Sequence, residues 1–260
     1  RWLAKINGED CMIHLNNIHK TFNTGKPNEV IAIKNVNLEI KAGEFVVIVG
    51  SNGSGKTTLL NLVAGNILPD VGIITIDSNT VTRLPEHKRS KWIARIFQNP
   101  LLGTAGDLSI IDNFRLAALR TQNKGLTIGK NDQFKAVVRD KITTLGMGLE
   151  DKIEQPIGTL SGGQRQALTL LMSVMDTCKI LLLDEPTAAL DPRSAENVLR
   201  IANDLIKEYK LTAILVTHNL KDAGNYGSRI IQMGEGAILK DVAGAEKQNL
   251  KQNELYDWFG

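Results

Sequence analysis

Lys56 follows Gly50, Ser51, Asn52, Gly53, Ser54 and Gly55 and precedes Thr57 and Thr58, giving the pattern G-x-x-x-x-G-K-[ST]. This spacing suits the polyphosphate of a nucleoside triphosphate. Glycines let successive backbone N–H groups turn inward around phosphate oxygens, Lys56 brings a mobile cation to the outer phosphates, and the Thr57 hydroxyl is an oxygen ligand for Mg²⁺. Thr58 supports the start of the helix that follows. A pair of acids, Asp184 and Glu185, closes the apolar run Ile180 to Leu183. Asp184 can hold Mg²⁺ through water, while Glu185, pointing to the opposite side, can polarise an attacking water. Ser161, Gly162, Gly163 and Gln164 precede a helical pattern, so a hydroxyl and backbone N–H groups form a second anion site at a helix start. A cap alone would require neither the second glycine nor a fixed glutamine. The chemistry indicated is binding and hydrolysis of a nucleoside triphosphate.

The elements that must position these groups follow from the periodicity. Phe45 to Val49 form a continuous apolar strand directly before Gly50, and Leu59, Leu60, Leu62, Val63 and Ala64 recur at helical spacing after it. A strand-to-helix junction is the context a P-loop needs. Ile180 to Leu183 read as a strand buried on both faces of a parallel sheet, which places its terminal carboxylates where open α/β sheets bind ligands. Leu211 to Val216 repeat the pattern and end in Thr217 and His218; a histidine there is either a packing or surface residue or a ligand contact. Met12 to Leu15 and Val30 to Ile40 alternate as antiparallel strands around a polar turn at Asn23 to Pro27. Phe22, just before that turn, is either a packed hydrophobe or a platform for a base ring. Ile73 to Ile76 and Arg95 to Gln98 read as further strands. From Gly103 to about Pro156 the strand pattern gives way to helices, a lobe inserted in the sheet. Asp191 and Pro192 form the N-cap and first position of a helix running to about Tyr209. A hairpin turns around Gly234 and Gly236, and Leu250, Leu255, Trp258 and Phe259 mark a short amphipathic helix.

With 260 residues, 42% of them apolar, the chain can bury one large α/β domain with a lobe, or two small domains. Its 31 basic and 28 acidic residues leave +3, too mild to indicate nucleic acid, and none is expected as a partner. Cys11 and Cys178 have no metal or redox spacing, which fits a reducing cytoplasm. Apolar stretches fall far short of the roughly 20 residues a spanning helix needs, so the chain is not expected to cross a membrane by itself. Residues 1–11 lack the apolar core of a signal peptide and read as a leader or a native extension.

Together these stations resemble the ATP-binding cassette of ABC transporters, from Met12 to Leu239. Gly50 to Thr57 match Walker A, Gln98 the Q-loop, Leu160 to Gln164 the LSGGQ signature, and Ile180 to Asp184 Walker B. Glu185 matches the catalytic glutamate, Ala188 to Asp191 the D-loop, His218 the switch histidine and Phe22 the aromatic A-loop. The resemblance implies a P-loop NTPase α/β fold with a mainly parallel core sheet, an antiparallel β subdomain and an inserted helical subdomain at about 103–165. It places the ATP-binding domain at 12–245 and a short C-terminal helix at 246–260. ATP and Mg²⁺ are implied, with Phe22 stacking on adenine, Thr57, Gln98 and Asp184 at the metal, and Glu185, His218, Gln98 and Lys56 in catalysis. Two cassettes join head to tail in this family, so Ser161, Gly162, Gly163, Gln164 and Asp191 are expected to meet the nucleotide across a homodimer interface.

Residues 97–114, F-Q-N-P-L-L-G-T-A-G-D-L-S-I-I-D-N-F, and 160–172, L-S-G-G-Q-R-Q-A-L-T-L-L-M, are similar to ATPases of tryptophan/tyrosine-type importers. After Gln164, residues 165–170 depart from the ordinary continuation Gln-Arg-Val-Ala-Ile-Ala, a difference of subfamily. The implied function is an energy-coupling subunit at the cytoplasmic face of the membrane, peripheral, working with a transmembrane permease and an extracytoplasmic solute-binding protein in amino-acid-type import. Lipoprotein-release or efflux mechanotransmission cassettes are the alternative transporter class. Soluble ABC ATPases acting on DNA or ribosomes need a coiled-coil insertion or tandem cassettes, and this sequence has one cassette and no sustained heptads.

Overall fold

The computed structural model describes residues 11–119, 131–250 and 252–258. The leader expected at 1–11 therefore lies outside the described residues except for Cys11, and so does Phe259. In chain order the elements begin with β1 (Cys11–Phe22), β2 (Val30–Lys41), β3 (Phe45–Val49), α1 (Lys56–Ala64), β4 (Val71–Ile76), β5 (Asn79–Thr80), α2 (Glu86–Arg89) and β6 (Ile93–Ile96). Next come α3 (Ile110–Ala118), α4 (Asp132–Thr143), α5 (Gly162–Ser173), β7 (Ile180–Asp184) and α6 (Pro192–Glu208). The chain continues through β8 (Thr212–Val216), α7 (Leu220–Asn225), β9 (Arg229–Gly234), β10 (Ala237–Ala243), α8 (Gly244–Asn249) and α9 (Gln252–Asp257). They fall into two compact units, residues 1–89 with 211–260, and residues 90–210.

In the first unit β3 runs parallel to β8 on one side and β9 on the other, with Val46 beside both Ile214 and Arg229. Every residue of β3 and β8 is buried, which is why these strands are unbroken apolar runs rather than alternating ones. β10 returns antiparallel to β9 through Glu235 and Gly236, both at positive φ, the tight turn that matches strand twist. The second sheet has the order β2-β1-β4-β5. Ile13 and Leu15 point inward, and the bulge at Asn17, φ 51, resets the alternation so that Ile18 does so too. α1 ends at Gly65 in the left-handed conformation, and its last carbonyls are met by Arg89. That guanidinium is fully buried and donates to the carbonyls of Leu62, Val63, Thr82 and Leu84 at 2.6–3.2 Å. Burial without a carboxylate lowers its pKa to about 10.

In the second unit β6 and β7 pair in parallel, Ile96 beside Leu183. Helices α3, α4, α5 and α6 start at Ser109, Asn131, Ser161 and Asp191, each accepting a backbone N–H with its side chain. Gly163 lets α5 approach α6, since a Cβ there would sit 2.8 Å from Ser194.

Two expectations change. β6 stops at Ile96 instead of running to Gln98, because its partner chain turns away after Asp184, where Glu185 adopts φ 46. The tail is two short helices, α8 and α9, separated by extended backbone at Leu250, with Leu255 buried. Among the described residues no helix is long and apolar enough to cross a membrane.

Candidate functional site

In the first unit the phosphate loop is held by backbone on several sides. Gly50 has φ 154, and a Cβ there would lie 2.2 Å from the Met233 carbonyl oxygen of β9; at Gly55, φ 100, it would lie 2.6 Å from the Ala32 carbonyl oxygen of β2. Gly53 is also in the left-handed region, at φ 81. No larger residue follows this path without strain. The hairpin turn completes the support: the Gly236 N–H donates to the Ser54 carbonyl at 3.1 Å, while the Lys34 N–H donates to the Gly236 carbonyl at 2.8 Å.

Lys56 is 5% exposed and arches back over the loop, its Nζ donating to the carbonyls of Gly50 at 2.8 Å and Ser51 at 2.9 Å. The Ser54 hydroxyl is buried without a hydrogen-bond partner. A buried cation and a cradle that any side chain would fill fit a bound polyphosphate. Ser51, Asn52 and Gly53 are exposed along the rim, and Thr57 and Thr58 lie in the first turn of α1.

Phe22, half-buried, ends β1 opposite Val30, with Lys20 Nζ 5.6 Å from its ring centre. Asp70 fixes this strand end, accepting from Lys20 Nζ at 2.7 Å and the Thr21 N–H at 2.6 Å. Burial pulls the Asp70 carboxyl upward, but these donors prevail and hold it below the usual carboxylate range. His218, exposed, sits between β8 and α7, where Asn219 caps the helix by accepting from the Lys221 and Asp222 N–H groups. Burial raises the Asp222 pKa, while Lys221 and His218 oppose the rise.

In the second unit, Asp184 and Glu185 stand at the end of β7. Arg95, on β6, donates from its Nη2 to the Asp184 carboxylate at 2.7 Å, both side chains being almost buried, and stacks 4.8 Å over Phe97. From the sequence alone Arg95 is only a strand residue; its signal is a guanidinium inside an apolar strand, whose donors need partners when buried. Gln98 is exposed just past β6, and the following Leu101 and Leu102 are 57% and 67% exposed.

Ser161 accepts from the Gln164 N–H at 3.3 Å, and the Gln164 side chain accepts from the Ser161 N–H at 3.2 Å, a reciprocal capping box. Both features that a cap was expected not to require are therefore used structurally, Gln164 by the cap and Gly163 by the approach of α6. The Ser161 hydroxyl keeps its own proton available to donate to a phosphate, and Gly162 is exposed beside it. Arg165, almost buried, donates to the carbonyls of Ile157 and Gly158 and so fixes the chain that leads into Ser161. Asp191 is exposed, and donors from Ser194 hold its carboxyl below the usual range.

The first unit carries the Thr57 hydroxyl, and the second carries the Gln98 amide and the Asp184 carboxylate, each a hard oxygen of the kind Mg²⁺ prefers, although Asp184 here accepts Arg95. Among the described residues no three His, Cys, Asp or Glu side chains gather as a metal cage.

The ABC transporter family profile matches residues 33–188. The tyrosine transport ATP-binding protein of Clostridioides difficile (strain R20291) is 40% identical over 257 residues, 95% of this chain and 98% of that protein. The macrolide export ATP-binding/permease protein MacB of Campylobacter fetus subsp. fetus (strain 82-40) is 37% identical over 247 residues, 93% of this chain and 36% of that protein. Among solved structures, a dimeric ATP-binding cassette in a post-hydrolysis state bound to ADP and Pi superposes with a TM-score of 0.75 at 28% identity, covering 89% of this chain and 98% of that one.

Proposed function

The chain belongs to the ABC transporter family as an ATPase subunit, and from that premise we propose that it powers amino-acid-type import, with an aromatic amino acid such as tyrosine as the cargo. The observation that carries the cargo class is the 40% identity to a tyrosine transport ATP-binding protein along 98% of that protein's length.

In this reading the loop at Gly50 to Thr58 and Lys56 bind the ATP phosphates, Phe22 stacks on adenine, and Glu185 accepts a proton from the attacking water. Mg²⁺ held by Thr57, Gln98 and Asp184 would neutralise charge developing between the outer phosphates. His218 holds the water and the terminal phosphate in line. Ser161, Gly162, Gly163, Gln164 and Asp191 complete the site of a second copy, so the working unit is a homodimer with two-fold symmetry.

The subunit sits peripherally at the cytoplasmic face of the membrane under a separate permease, fed by an extracytoplasmic solute-binding protein. Support for a permease contact comes from the exposed Leu101 and Leu102 beside an open groove of about 400 Å³ lined by Leu102, Thr104, Asn113, Leu116 and Thr169. The domain limits that go with this reading are 12–245 for the cassette, with its helical part at 103–165, and 246–260 for the C-terminal segment.

The test is ATP hydrolysis by the subunit reconstituted with its permease and binding protein in vesicles. Tyrosine outside the vesicles should stimulate turnover and appear inside. The likeness to a macrolide exporter favours one rival, efflux. Stimulation by a hydrophobic drug with outward movement, and none by tyrosine, would establish that rival and reject import.

A further inference from the structure

Gln166 lies one helical turn inside α5, past the Ser161 cap, and is 1% exposed. Its side-chain nitrogen makes two bonds to backbone just past the ends of β6 and β7. One goes to the Phe97 carbonyl at 2.9 Å, in the residue before Gln98; the other goes to the Pro186 carbonyl at 3.1 Å, in the residue after Glu185. Two carbonyl acceptors on one side fix which end of the amide faces them, so the nitrogen must point there. The oxygen end is buried with no partner. An unsatisfied buried acceptor is costly and is expected only where the opposite end does something the fold needs.

What it holds is strained. Glu185 has φ 46, a region that non-glycine residues rarely occupy, and it precedes a proline, which further narrows its choices. Such a conformation persists only where its surroundings over-determine it. Bonds that do so include the Ala188 N–H on the Glu185 carbonyl at 3.2 Å, the Arg95 pair on Asp184 just before it, and Gln166 on Pro186 just after it.

We propose that Gln166 is a positioning residue for hydrolysis: it ties the backbone leaving β6 to the backbone leaving β7, and so holds Glu185 and Gln98 in register. Because Gln166 and the Ser161 cap share α5, displacement of the signature end of that helix is transmitted to both strand ends. The proposal rests on the assignment of Glu185 as base and Gln98 as a metal and water contact.

The test uses the full chain with Gln166→Met and Gln166→Glu. Methionine keeps the length and burial and removes both donors. ATP affinity by calorimetry should stay within about twofold, because the P-loop is untouched, while kcat falls roughly 10- to 100-fold from misplacement of the base. In Gln166→Glu a buried carboxyl stays protonated at low pH and donates one bond, then loses it on ionisation. The charged groups on the segments it joins and next to it on α5 are Arg95, paired with Asp184; Glu185; and Arg165, engaged with carbonyls; α3, α4 and α6, which also pack on α5, carry further charges, among them Arg115, Lys135 and Arg193. Turnover of Gln166→Glu relative to the parent should therefore rise as pH is lowered, whereas Gln166→Met stays uniformly slow.

Parent-like kcat in Gln166→Met would overturn the proposal. Equal loss of ATP affinity and thermal stability with no pH-dependent recovery in Gln166→Glu would also overturn it, in favour of simple packing. The catalytic assignment itself fails separately, if Glu185→Gln hydrolyses ATP at the parent rate.

Discussion

The two units hold their functional groups by different means. Around the phosphate loop the decisive contacts are backbone on backbone: Gly50 against Met233, Gly55 against Ala32, Gly236 on Ser54. In the second unit they are side chains: Arg95 on Asp184, Gln166 on Phe97 and Pro186, Gln164 on Ser161. A backbone cradle is insensitive to most substitutions except at its glycines, and its N–H groups suit an anionic ligand. Side-chain networks place a base or a hydroxyl to within fractions of an ångström, which turnover requires and binding does not. Under the proposed function the cradle of the first unit governs affinity and the side chains of the second govern rate, with His218 of the first unit also serving turnover, and substitutions in each unit should show it.

The largest effect is expected from Lys56→Ala, which removes the buried cation of the cradle. ATP affinity by calorimetry should drop by about 100-fold or more. An undiminished affinity would break the assignment of binding to this unit. Next, Ser161→Arg puts a bulky side chain at the exposed start of α5. Combined with Glu185→Gln, it should abolish ATP-induced dimers in light scattering and leave the monomer's ATP affinity in place; unchanged dimers would remove the signature helix from the interface. The smallest effect on the isolated subunit is expected from Leu101→Ser with Leu102→Ser, since both side chains are mainly exposed. Basal hydrolysis should stay within about twofold, while transport in vesicles at matched subunit incorporation falls sharply. Equal transport would mean that these leucines do not meet the permease.

Much of this division was legible in the sequence, because the cradle's pattern is local. Gly50 to Thr58 needs only its flanking strand and helix to be recognised, and β3, α1, β7 and β8 form where apolar runs and helical spacing place them. The ends of elements were less legible. β6 stops short of Gln98 because its partner turns at Glu185, and the tail breaks at Leu250, features set by tertiary neighbours rather than by propensity. The supporting residues were not legible at all. Met233 and Ala32 reach the loop from β9 and β2 and Gly236 from the hairpin turn, and the sequence pattern set Gln166 apart only as one of the residues 165–170 that depart from the ordinary continuation. Gln164 has a structural use that its spacing did not reveal, the reciprocal capping box with Ser161.

The separation of binding from turnover is tested most directly by measuring ATP affinity and ATP hydrolysis on one preparation of Glu185→Gln. Its amide keeps the size of the side chain but cannot accept the proton of the attacking water. Affinity should match the parent, and turnover should fall by roughly 100-fold or more. Hydrolysis at the parent rate, or a loss of affinity as large as the loss of rate, would contradict the account.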